Sequence, residues 1–262
     1  METLSKHFNR MGADLILLQE ERRLDRSTRE RHNGVTVNVR SRVFEVTRFG
    51  EADIKVVNVD PRGRHLLLQT EVDGVKSKFL CGYDERHWFV AAVPESARAR
   101  DVRTAKEALK PVGVRVREDR AGVKAKHRNR RRNKGSIRQG EWFFLPAADI
   151  IVEDWLIRKN EPFSRGRGKS HYAQEAYRSG GEAVYVCSLR PNGVTPAEYS
   201  WLSKRREFRG VLWTPMRRNA NLYVRGRITH PDHATIVLRG WHLVVMNTEG
   251  RARAMADVTF LD

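Results

Sequence analysis

From Arg120 to Gly140 the chain carries no acidic residue, and Lys124, Lys126, Arg128, Arg130, Arg131, Arg132, Lys134 and Arg138 accumulate there before the sequence turns into Trp142, Phe143 and Phe144. No other feature limits the fold so strongly. Cations at that density repel one another, so the segment has no means of collapsing on itself. It must either stay solvated as a linker or become ordered on something of opposite charge, such as a phosphate backbone. The expectation is a basic linker or arm over 121–138, between a β-rich α+β lobe at 1–120 and a second α+β lobe at 139–262, unless the second packs into the first as one domain.

The rest of the composition agrees with a folded, polyanion-seeking protein. Over 262 residues, 40% are hydrophobic, enough to build a core. The formal net charge of +18 and a pI near 10.5 favour any polyanion. RNA or DNA is the first candidate. An anionic membrane is the second, but it requires an apolar helix face or a lipid signal, and neither is evident. No apolar run is long enough to span a bilayer, and METLSKHFNRMG lacks the apolar centre of a signal peptide, so the expected location is cytoplasmic. Cys81 and Cys187 stand far apart in apolar surroundings and read as buried thiols; zinc-finger spacings are absent.

Periodicity places strands first. Val35, Val37 and Val39 alternate with polar residues, strands are expected at 53–60, 65–72 and 87–93, and Asp73-Gly74 is a hairpin signal. Residues 13–31 suit either a strand start or a charged helix, and 96–110 reads as a helix stopped by Pro111. After the arm, 141–146 suits a strand and 147–158 a helix with Ile151 and Trp155 facing inward. Trp142 and Phe144 read mainly as core, with exposure as a base-stacking platform as the lesser alternative. Ser170 can cap a short helix ending at Gly180, 184–189 suits an internal strand, and Thr195-Pro196-Ala197-Glu198 opens a helix to about 209. Lys204, Arg205, Arg206 and Arg209 gather at the end of that helix, where they either complement its dipole or belong to the basic surface. Three antiparallel strands close the chain. The fold class is α+β, mostly antiparallel sheet with several short helices, in two lobes joined by the basic segment.

Three places carry candidate chemistry. Arg165, Arg167 and Lys169, interleaved with Gly166 and Gly168, form a phosphate-seeking loop; Phe163 stands where a P-loop needs glycine, so hydrolysis of that kind is disfavoured. Along 222–228, Tyr223, Arg225 and Arg227 share the face opposite Leu222, Val224 and Ile228, which suits either a stacked strand of nucleic acid or ordinary solvent. His230 and His233 flank Pro231-Asp232, His242 follows on the third strand, and His171 and Glu175 stand four apart on one face of the expected helix. His230, His233 and His242 are candidate acid–base residues, while His230, Asp232, His233, His171 and Glu175 are candidate ligands of a divalent metal. Cys81 and His87 form a weaker thiol–histidine candidate.

The leading function is therefore nucleic-acid binding, RNA slightly before DNA because sheet and aromatics suit single strands and no helix resembles a major-groove reader. A histidine-assisted or metal-dependent nuclease is the alternative, and a structural ribonucleoprotein component is the second alternative. No cofactor is expected beyond a divalent metal if the nuclease reading holds.

Overall fold

The computed structural model describes residues 2–20, 34–164 and 169–249. They form a mixed α+β protein of mostly antiparallel sheets and short helices, as the periodicities require. Two compact units are present: one comprises 1–143, 231–234 and the chain from 245, the other 144–230 and 235–244.

In chain order the first unit contains α1 (Glu2–Arg10), β1 (Asp14–Glu20), β2 (Gly34–Arg40), β3 (Val43–Phe49), β4 (Asp53–Asp60), β5 (His65–Val72), β6 (Val75–Asp84) and β7 (His87–Val93). Then come α2 (Val102–Ala108), α3 (Val112–Arg120), α4 (Ala125–Arg128), β8 (Ile137–Gln139) and the start of β9 (Trp142–Pro146). β1 pairs parallel with β3, which pairs antiparallel with β2, while β4 to β7 form an antiparallel meander. Asp73 and Gly74, both at positive φ (50° and 77°), make the tight turn between β5 and β6 that their sequence predicts. The apolar run of β5 is buried on both faces. Leu66 and Leu68 join Phe8, Phe44, Phe79 and Cys81 in one cluster, whereas Leu67 points the other way into a second cluster with Leu80, Val102 and Ala105 of α2.

The second unit contains the end of β9, then β10 (Arg158–Phe163), β11 (His171–Ser179), β12 (Glu182–Cys187), β13 (Arg190–Val194), α5 (Pro196–Leu202), β14 (Thr214–Arg218), β15 (Asn221–His230) and most of β16 (His233–Met246). β10, β11, β15 and β16 are successive neighbours in one sheet. β13, β12 and β14 form a smaller one, over whose core Cys187, Val194, Leu202 and Phe208 close.

Several local expectations are corrected. The helix expected over 96–110 breaks into a single turn at Glu95–Ala97, a left-handed Arg98 and a restart at α2, because Asp101 caps the new helix reciprocally with Thr104. Over 147–158 there is only a short turn at Asp154–Leu156, and Ile151 and Trp155 are 96% and 79% exposed. Their helical spacing meets no apolar surface, and a short helix without packing is not stable. Residues 171–179 are a strand rather than a helix, since pairing on both edges with β10 and β15 outweighs a weak local cap. α5 opens on the predicted capping box but ends at Leu202, so Lys204, Arg205, Arg206 and Arg209 lie beyond the helix rather than on its last turn. At the C-terminus two strands stand where three were expected, because β16 runs unbroken past Gly240, whose φ of 74° is accommodated within the strand. Of 13–31, Asp14–Glu20 is strand and 21–31 lies outside the described residues.

Candidate nucleic-acid interface

Residues 121–138, expected as a linker or arm, lie inside the first unit and are folded against its acids. Glu118 on α3 has 0% exposure. Its carboxylate accepts two hydrogen bonds from Lys110 Nζ, at 2.9 and 3.2 Å, and one from Asn133 Nδ2 at 2.7 Å, with Arg128 Nε 3.4 Å away. Arg128 also donates to Asp119 at 2.6 Å, which holds its guanidinium still more firmly charged. A buried carboxylate is tolerable only when paired and hydrogen-bonded in this way. The chain then passes so close to α3 that a Cβ on Gly135 would lie 2.9 Å from the Glu118 backbone nitrogen. Further along, Arg131 pairs with Glu85 in the turn between β6 and β7, and Arg138 with Asp84, the last residue of β6, at 2.8 Å.

The consequence is a division of the cations. Arg128, Arg131 and Arg138 are half-buried and serve as fasteners. Lys124, Lys126, Arg130, Arg132 and Lys134 are exposed, as are Arg115 and Arg120 on α3. Among the described residues Arg115, Arg120, Lys124, Lys126, Arg130 and Lys134 make no ion pair, and the two acids of this stretch, Glu118 and Asp119, are engaged by Lys110 and Arg128. The outward side is thus an ordered, strongly cationic surface on which Asp119, paired with Arg128, is the one exposed acid. The chain matches no protein-family model, no curated protein and no solved structure. What it does must be argued from its own side chains.

Of the other predicted contacts, Arg165 and Arg167 lie outside the described residues. Lys169 is exposed, and its carbonyl lies 3.3 Å from His230 Nε2. On the second unit's sheet Tyr223 stacks with Tyr177 at 6.1 Å, while Arg227 is exposed. Arg225 is largely committed: it pairs with Glu175 and lies 4.6 Å over the ring of Trp241. Phe143 and Phe144 are buried, so the aromatic run after the arm is core, and Phe144 is no stacking platform.

In the second unit, buried His171 is stacked between Phe163, at 5.2 Å, and His230, at 4.1 Å. Glu175 does not share that setting. Ala173 and Ala176 are both fully buried, an odd spacing that interrupts the strand's alternation, and Glu175 between them instead pairs with Lys159 and Arg225. Those hydrogen bonds hold its carboxyl below the usual carboxylate range. His242 is buried, with Nδ1 3.0 Å from the Gly240 carbonyl oxygen. In the first unit Asp232 lies 3.7 Å from His87 Nε2, and His233 Nδ1 lies 3.9 Å from Glu85. Cys81 is core, its thiol pushed far up by burial, and its strand partner is Val90, so no thiol–histidine pair exists there.

Sequence reasoning missed Arg115 and Arg120, although a helix read over 112–120 would have exposed them. It also missed that Trp201 and Arg205 associate, despite their spacing of four.

Proposed function

We propose that this protein binds nucleic acid, with RNA ahead of DNA, through the basic surface carried by α3, α4 and the chain leading to β8. One observation carries the reading: of the two acids of that stretch Glu118 is buried and Asp119, although exposed, is paired with Arg128, so the exposed cations far outnumber the single exposed acid. Such a surface neutralises phosphates without selecting sequence. Single-stranded RNA suits it better than the duplex major groove, because the helices here are short and no side chains are arrayed on one of them for base edges. The test is the joint substitution of Lys124, Lys126, Arg130 and Lys134 by Ala, all exposed and outside the anchoring network. Affinity for several unrelated labelled RNAs should fall together and by similar factors, as measured by fluorescence anisotropy. Unchanged affinity sinks the proposal.

A second reading, histidine-assisted cleavage of the bound polymer, is supported by the stacking of His171 on His230, two titratable rings brought together in one unit. Cleavage of labelled RNA that is lost in His230→Ala while binding persists would favour it over binding alone.

A further inference from the structure

The second unit carries an aromatic surface that the basic stretch does not explain. α5 is fixed in place by its capping box, in which Thr195 and Glu198 bond reciprocally, and by Leu202, which is buried with Phe208 in the small core. Its neighbour Trp201 faces outward and is 57% exposed. Arg205, one turn on, places its guanidinium carbon 3.6 Å from the centre of the indole ring. Its other interaction is with Glu207, at 3.5 Å. Lys204, Arg206 and Arg209 are all exposed in the same short segment.

An indole is among the largest apolar side chains, and leaving it in water forgoes much of the gain of burying it. Here the ring is stiffened by a planar cation and surrounded in sequence by further cations. A flat π surface beside positive charge is complementary to a nucleobase attached to a phosphodiester: the base stacks on the ring, and the cations meet the adjoining phosphates. A duplex does not offer that contact, because its base faces are already stacked on each other.

We infer that Trp201 and Arg205 form a stacking platform for an unpaired nucleobase, with Lys204, Arg206 and Arg209 on its flanking phosphates. The inference rests on the nucleic-acid reading and adds to it a contact that only an unpaired base can make. It is tested with Trp201→Ala and Trp201→Phe, against a single-stranded RNA and a duplex RNA of equal length. Trp201→Ala should weaken single-strand binding roughly 10- to 100-fold, the range for loss of one stacked base, and leave duplex binding unchanged. Trp201→Phe, which keeps a ring, should retain most of the affinity. Equal effects of Trp201→Ala on both polymers, or none on either, overturn the platform while leaving the nucleic-acid reading intact. Failure of the wild-type protein to bind either polymer overturns both. Capture of a polyglutamate peptide, lost on Trp201→Ala while RNA binding is unaffected, assigns the surface to an acidic protein instead. Because Trp201 is exposed, an unchanged thermal midpoint certifies that each variant is folded.

Discussion

A carboxylate removed from water, as Glu118 is, is tolerable only when its neighbours pair with it and hydrogen-bond it. Glu118→Gln would leave buried Lys110 with Glu107, at 2.8 Å, as its remaining counterion and would remove the charge that Arg128 also faces; loss of one partner from such a buried network costs about 3 kcal/mol, to be read from urea unfolding. A stability change under about 1 kcal/mol would show that the network does not fasten the basic stretch. His65 supplies a pH test. Burial, with Lys106 nearby, lowers its pKa to about 4, although its Nδ1 hydrogen-bonds the Gly63 carbonyl. The folded protein resists protonating this ring, whereas the unfolded chain protonates it below about 6.5. Stability from this group is therefore complete above pH ~6.5 and is lost as pH falls toward 4, by about 3 kcal/mol in total. An NMR titration should place the His65 midpoint near 4; a midpoint near 6.5 would refute its burial as the controlling influence.

At the scale of elements, what the sequence disclosed was what local chemistry decides. Asp73-Gly74 fixes its hairpin by backbone preference, Thr195 and Glu198 fix the start of α5, and the alternating valines of β2 mark its buried face. What it concealed depends on distant partners. The strand at 171–179 exists because two neighbours pair with it, and 147–158 lacks a helix because nothing covers Ile151. The basic stretch is the sharpest case: the acids that order it, Asp84, Glu85, Glu107, Glu118 and Asp119, all precede Arg120, so a search inside the run finds only repulsion. For the same reason the sequence marked Arg128, Arg131 and Arg138 as contacts without disclosing that each is paired with an acid of the first unit. Gly135→Ala probes this element directly, since its Cβ would press on the α3 backbone. A cost of about 1–3 kcal/mol is expected, of the size seen for overpacking, with greater proteolytic cleavage near 121–138. Wild-type stability and protease resistance would mean that the close approach does not matter.

On the scale of the whole molecule, a net charge of +18 on a chain with its own buried core is a standing attraction for polyanions. Among the described residues no helix is long and apolar enough to cross a membrane, a statement that does not extend to β-barrels. Among the described residues some of the cations hold the first unit together, and others are displayed on α3, α4 and the following chain. A ribonucleoprotein component would use the same display. The decisive measurement is the dependence of RNA affinity on salt concentration, for the wild-type protein and for the variant with Lys124, Lys126, Arg130 and Lys134 changed to Ala. With about five phosphates neutralised on a single strand, wild-type affinity should fall roughly 100-fold between 50 and 200 mM salt, and the variant's log–log slope should be shallower by nearly 3. A wild-type slope near zero, or one that the four substitutions leave unaltered, would contradict the assignment of this surface to phosphate.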